Sequence, residues 1–519
     1  MAIGATAASG CAAVLGFEDT TLRPEETDGG GDQTRDGGPD ATGDGATARL
    51  TAQPSEVVLR QGGSAEVTVT VVRGADVQGA VAVTVTDLPA GVTTAPATIP
   101  DKKTTAKVTF TAAADAPFGT ATAKLSVDKG GLAPIPIDVL VAGASGAPDT
   151  TFDGDGFAVD ATKGAGATFY AVAVQPDGNV LAAGAGAGLT PGWLVRRFGA
   201  GGAADKAFTS ALGALPNDGE VRAIALEPTT NKIFLAGASG PGLGPTQLTV
   251  MRRLATGAPD ATFASGAFRF TLADAPGGST AFALAPLADG SVLVVGTRRD
   301  AGNKTSGIAI RLKKDGTRDT TFNGGNAVVV ADNDFIGVAP GPAGSFFIAG
   351  TDASAQLGSF YLTKRLVTGL PDGSFGAGGA TTFGLGFRAH GFVRMPDGSL
   401  VVAGESAQAG NVYTLGRTDA AGGQVFARGI ATAAGASFNA VTADASGRMI
   451  AAGNGAGAGA EARVSRVQLD GTVDATFGNA GSALVNATTL SAAAVQADGR
   501  ILAAGSRAQT GAVVVRIWP

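Results

Sequence analysis

Cysteine occurs once in 519 residues and histidine once. An intramolecular disulfide, a multi-thiolate metal centre and a histidine-rich zinc site are therefore excluded by count. Tryptophan (2) and tyrosine (3) are nearly as scarce, which leaves little material for an aromatic platform that stacks on sugars. Charged residues make up only 16% of the chain, and Lys+Arg 38 against Asp+Glu 44 gives a formal net charge of -6. No broad basic surface is available to neutralise a phosphate backbone, so nucleic acid is not an expected partner. Glycine is what the chain has in plenty: 81 residues, beside 24 prolines and a hydrophobic content of 44%. Such a chain is rich in turns yet too apolar for wholesale disorder, and its length suits several folding units or one large β-architecture.

Residues 1–17, MAIGATAASGCAAVLGF, carry no charged side chain and hold the sole cysteine, Cys11, directly after Ala8-Ser9-Gly10. Small residues before a cysteine resemble the lipobox of bacterial lipoproteins. The resemblance implies a lipoprotein-type signal region cut before Cys11, whose sulfur would receive a diacylglycerol and tether the chain to a membrane. The alternative is an unmodified cysteine near a terminus. From residue 18 to 46 the chain is acidic: Glu18, Asp19, Glu25, Glu26, Asp28, Asp32, Asp36, Asp40 and Asp44 face only Arg23 and Arg35. Such a segment buries too little apolar surface to offset its chain entropy, so a disordered linker is expected, of the kind that holds folded domains clear of a membrane.

Residues 47–142 change character. In Ala65–Val72, Val67, Val69 and Val71 alternate with Thr68 and Thr70, the period of two that a half-buried strand requires. About seven such segments separated by Gly and Pro turns predict an antiparallel β-sandwich. The stretch resembles the immunoglobulin-like modules of bacterial surface proteins, which implies a spacer.

Residues 147–519 repeat. A hairpin of apolar strand, P-D-G or A-D-G turn and second apolar strand closes on Gly184, Gly237, Gly296, Gly350, Gly404, Gly453 and Gly505, at intervals of 49 to 59 residues. A third strand follows in each unit and carries a basic residue: Arg196, Arg252, Arg311, Arg365, Arg417, Arg466 or Arg516. Then come a turn and D-x-x-F, at Asp149–Phe152, Asp205–Phe208, Asp260–Phe263, Asp319–Phe322, Asp372–Phe375 and Asp474–Phe477, with a degenerate copy near Gly423–Phe426. A short fourth strand is expected after each copy. The first D-x-x-F precedes the first hairpin and the last unit stops after its third strand, so the N-terminal strand should complete the last unit. Four-stranded units repeated seven times predict a β-propeller. The fold class is thus all-β: a seven-bladed β-propeller with an N-terminal immunoglobulin-like β-sandwich. Hairpin, third-strand Arg and D-x-x-F together resemble the delta-60 repeat of bacterial envelope and secreted proteins, which implies a location but no reaction.

If the first hairpin strand lies nearest the axis, the loops entering it form a rim holding Asn217, Asp218, Glu220, Arg222, Asp332, Asn333, Asp334, Arg388 and His390. Asp332–Asp334 and Asp153-Gly154-Asp155 are the candidate cation turns, although acid-rich turns commonly hold no metal. Tyr170, Tyr361 and Tyr413 lie beside or within apolar strands, and His390 has no G-x-S-x-G partner. No catalytic residue, metal site or cofactor is assigned, and the ligand-binding residues are unknown. The expectation is a monomeric, non-enzymatic, lipid-anchored envelope protein displaying its propeller to a protein or glycan. An envelope hydrolase or lyase with its site at the propeller mouth is the alternative, and a surface scaffold without a ligand is a third reading.

Overall fold

The computed structural model describes residues 48–188, 191–240, 246–270, 276–354, 358–406, 412–431, 436–455 and 460–519. Cys11, with the rest of 1–17 and the 18–46 segment, lies outside the described residues. The chain divides into two compact units between Ala144 and Ser145.

The smaller unit holds nine strands in two sheets, one of four and one of five. Two short strands, Val92–Thr94 and Ala97–Ile99, add to the seven expected. The alternation in Ser64–Val72 works as its period demands: Val67, Val69 and Val71 are buried with Val108, Phe110, Leu125, Ile137 and Val139 in one core. Glu56–Arg60 runs parallel to Ile135–Ala142, while the other pairings are antiparallel.

The described residues of the larger unit form seven antiparallel sheets. Their first strands are Thr168–Val174, Glu220–Leu226, Ser279–Pro286, Asn333–Pro340, Phe387–Arg394, Phe438–Ala443 and Thr489–Val495, here numbered sheets I to VII. Each first strand packs against the first strand of the next sheet, and that of sheet VII packs against that of sheet I, so the sheets close a circuit. The fourth strand of sheet VII is Phe157–Asp160, which pairs with Gly511–Ile517 from the other end of the unit.

D-x-x-F and the third-strand cation clamp neighbouring sheets together. The Asp Oδ1 accepts the N–H and hydroxyl of the residue two places on, as Asp260 does from Thr262. Its Oδ2 takes the cation: Arg252 at 2.7 Å, Arg466 at 2.8 Å and Arg516 on Asp149 at 2.7 Å. The same guanidinium lies 4.6–5.3 Å from the ring of the buried Phe of the motif in five sheets. It also donates to a carbonyl in the next sheet: Arg197 to Ala255, Arg252 to Lys314, Arg311 to Val367, Arg417 to Leu469 and Arg516 to Ala200. The residue after the Phe adopts a left-handed backbone at Asp153, Ala264, Asn323, Gly376 and Gly478. There its N–H also reaches across, as Asn323 does to Thr368 O at 2.7 Å.

The basic residues of the third strands do not all hold one position. The cation that meets the motif's Asp lies eight residues before it, which in sheets I and IV is Arg197 and Lys364, not Arg196 and Arg365. Arg196 pairs with Asp160 instead, and Arg365 donates to Gly369 O. Sheet V, where D-x-x-F has degenerated, pairs Arg417 with Asp397 of its hairpin turn at 2.7 Å. One expectation is corrected: among the described residues sheet I has three strands, and the helix Lys206–Ala211, capped by Asp205 accepting from Phe208 N, stands where a fourth was expected.

Candidate functional site

Every first strand carries a β-bulge at the same place. Pairing with the second strand skips one residue: Tyr170, Arg222, Phe282, Ile336, His390, Asn439 and Ser491 in sheets I to VII. The hairpin-closing glycine is the cause. A Cβ on Gly184, Gly237, Gly296, Gly350, Gly404, Gly453 or Gly505 would stand 1.6–1.9 Å from a carbonyl oxygen of the first strand. Only glycine leaves room for that carbonyl, and the displaced chain holds an extra residue that the ladder does not pair. A bulge re-aims its side chain, so the glycine takes one residue per sheet out of the ladder; Tyr170, Arg222, Phe282 and His390 are part-exposed there, while Ile336, Asn439 and Ser491 stay buried.

These side chains meet across neighbouring first strands. The Arg222 guanidinium lies 4.1 Å from the Tyr170 ring and 5.9 Å from the Phe282 ring, bridging sheets I and III. Glu220 holds it by a fork at 2.5 and 2.6 Å. Burial pushes the Tyr170 phenol up, with Arg222 opposing. On the other side of the circuit His390 Nε2 stands 3.8 Å from Glu405 Oε1 and holds that carboxyl below its ordinary range. His390 Nδ1 is buried without a hydrogen-bond partner among the described residues. Asp334, on the adjoining strand, is enclosed by protein although part of its surface stays accessible. Burial pushes its carboxyl up against the lowering effect of the Thr351 N–H, 2.6 Å from Oδ1, and of the His390 charge. Asn439 donates to Leu490 O at 2.9 Å and to Asn454 Oδ1 at 2.7 Å, joining sheets VI and VII.

The expected rim divides. Glu220 and Arg222 come together, as do Asp334 and His390, all within strands rather than loops. Arg388 is exposed one pairing position away, Asn333 is buried with an unpartnered Oδ1, and Asp332 is exposed at a left-handed φ of 52°. Asn217 lines a lateral cleft instead. At the second cation turn, burial and the Asp155 charge push Asp153 up. Among the described residues no cluster of His, Cys, Asp or Glu is arranged to hold a metal ion. Tyr361 and Tyr413 pack in the cores, Tyr413 donating to Asn454 O. Trp193 is buried, donating to Ala238 O, and Trp518 is buried beside Arg500. Sequence reading missed Tyr170, Phe282, Ile336, Asn439 and Ser491 as members of one set. The signal was their constant offset from the closing glycines.

Repeated antiparallel sheets, six of four strands and one of three, with bulged hairpins that pack first strand to first strand around a closed circuit, define a β-propeller class of all-β protein. Residues 287–322, the stretch of sheet III from its hairpin turn to its D-x-x-F, match the model of a domain of unknown function, DUF5122, described as a β-propeller. No curated protein matches. Among solved structures, domains 5–6 of the S-layer protein SbsC align at 16% identity over 43% of this chain and 94% of that one, with a TM-score of 0.16. SbsC domains 4–9 align at 12% identity over 91% and 81%, TM-score 0.16. A Salmonella alpha-2-macroglobulin mutant aligns at 12% over 91% and 23%, TM-score 0.18.

Proposed function

We propose that this chain is a non-enzymatic display protein of the bacterial cell envelope. In this reading Cys11 carries the lipid anchor, residues 18–46 are the tether, and 47–142 form an immunoglobulin-like spacer. The repeats make a seven-bladed propeller of the delta-60 type that offers the part-exposed axial bulge residues Tyr170, Arg222, Phe282 and His390 to a protein or glycan. One observation carries the binding role: the glycine that makes each bulge is invariant across seven sheets, whereas the residue it re-aims is Tyr, Arg, Phe, Ile, His, Asn or Ser. A position that the fold requires to exist, but whose chemistry the fold leaves free, is where recognition can diversify. Two experiments test the reading. Intact mass of membrane-extracted protein should give a chain beginning at Cys11 with added acyl mass, and an unmodified soluble chain would sink the anchor. Arrays of envelope glycans and purified envelope proteins should bind the wild type and lose binding on Tyr170→Ser with Arg222→Ser, replacements taken from sheet VII. Retained binding would refute the axial site.

A second reading, an envelope hydrolase or lyase, is favoured by one feature. Asp334 and Glu405 approach the same His390, and their environments push the two carboxyls in opposite directions, as an acid and base pair requires. It predicts a turnover lost on either Asp334→Asn or Glu405→Gln.

A further inference from the structure

We infer that sheet I carries a second, lateral site that takes an anionic sugar. The place is the one unit that breaks the repeat. Where six sheets have a fourth strand, sheet I has the helix Lys206–Ala211 and the segment after it, and a cleft of about 610 Å³ is left. That volume is ample for a sugar-sized ligand. Its walls include Lys163, Trp193, Arg196, Thr209 and Asn217 with the backbone of Gly186, Gly192 and Gly213; no Asp or Glu lines it.

The guanidinium of Arg196 is specific to this unit. Register with the closing glycine makes Arg196 the counterpart of Met251, Ile310, Thr363, Gly416, Ser465 and Val515 in sheets II to VII. The fold therefore does not require a charge there. Arg196 is held by Asp160 at 2.6 Å, by Thr162 Oγ1 at 2.7 Å and by Val195 O at 2.9 Å. The Thr162 and Val195 bonds use two of the five guanidinium N–H groups, and the Asp160 ion pair holds the Nε edge. Lys163 is exposed and makes no ion pair among the described residues. In a chain of net charge -6, the uncompensated Lys163 ammonium, beside an Arg196 guanidinium that keeps N–H groups to donate beyond its pairing with Asp160, favours a negative group. Asn217, Thr209 and the open glycine backbone suit hydroxyls. The ligand is a uronic acid or sugar phosphate, free or as a residue of an acidic polysaccharide.

The test is calorimetric titration of the full chain with glucuronate, glucose 6-phosphate, polygalacturonate and glucose. One or both charged sugars should bind, glucose should not, and affinity should fall with salt. Lys163→Ala should weaken binding by about tenfold, and Arg196→Met, the residue of sheet II, by at least as much. Arg222→Ser at the axial site should leave it unchanged, which separates this site from the other. Much tighter binding of the polymer than of the monomer assigns an acidic polysaccharide; equal binding assigns a free sugar. No binding by any anion, or an affinity unmoved by Lys163→Ala, overturns the proposal.

Discussion

Replacing Gly296 with alanine places a Cβ 1.9 Å from Thr280 O, 2.8 Å from Ala281 Cα and 2.9 Å from Thr280 C. All three neighbours are backbone, and real Cβ contacts essentially never fall below 3.0 Å, so the first strand of sheet III must move by more than 1 Å. Two responses are open. The bulge can flatten, in which case Phe282 rejoins the ladder and Ala283, Leu284 and Ala285 exchange faces; all three are buried, so each would meet the wrong neighbours. Or the hairpin can open, losing packing against sheet II. The cheaper course still belongs with overpacked cores, at about 1–3 kcal/mol. Both tryptophans lie in the larger unit, so tryptophan fluorescence in urea reports that unit without interference from the sandwich. Gly201→Ala is the control, because a Cβ there meets nothing within 4 Å and its φ is unstrained; its effect should stay within about 0.5 kcal/mol. If Gly296→Ala shifts the urea midpoint no further than Gly201→Ala, glycine is not what makes the bulge, and the axial set loses its explanation.

Asp149→Ala removes the partner of Arg516, which is 2% exposed, and should cost about 3–5 kcal/mol in the same assay. Phe477→Ala empties a fully buried place beside Arg466 and should cost about 3–5 kcal/mol. Lys364 and two bonds from Ser374 depress Asp372 to about 2, and Asp260, Asp319 and Asp474 are depressed as well. Their stabilisation is complete above the unfolded carboxyl value of about 4 and is lost as pH falls toward the folded values. Melting temperature should therefore drop between about pH 4 and 2, and Asp372→Asn should flatten part of that slope. Asp334 behaves oppositely: its raised value means stability falls as pH climbs through it, so Asp334→Asn should raise the melting temperature at pH 7 but not at pH 3.

The sequence displayed the period of the larger unit plainly, because glycine, D-x-x-F and hairpin turns recur and each answers a steric need. Phase within the third strand was not legible where two cations adjoin. In Arg196-Arg197 and Lys364-Arg365 composition offers no choice, and only the eight-residue interval to Asp205 and Asp372 resolves it. The helix of sheet I was hidden because Asp205 opens a motif copy and also caps the helix. The bulge residues escaped notice for another reason: alternation is the signal of a strand, and a bulge is a break in it. His390 and Asp334 read as loop residues because the strand enclosing them lost its period there.

The strand Phe157–Asp160 lies near the start of the larger unit, yet its partner Gly511–Ile517 follows the strands of all six other sheets in the chain. During synthesis it must wait as an unpaired edge while six sheets form beside it. Asp149 and Arg516, separated by 367 positions, then meet as an ion pair. A chain halted anywhere before its final strand keeps an open edge at each end of the array, the form that proteases and neighbouring chains seize. The join thus makes the two ends of the array each other's cover: a chain in which Phe157–Asp160 and Gly511–Ile517 have not met exposes both.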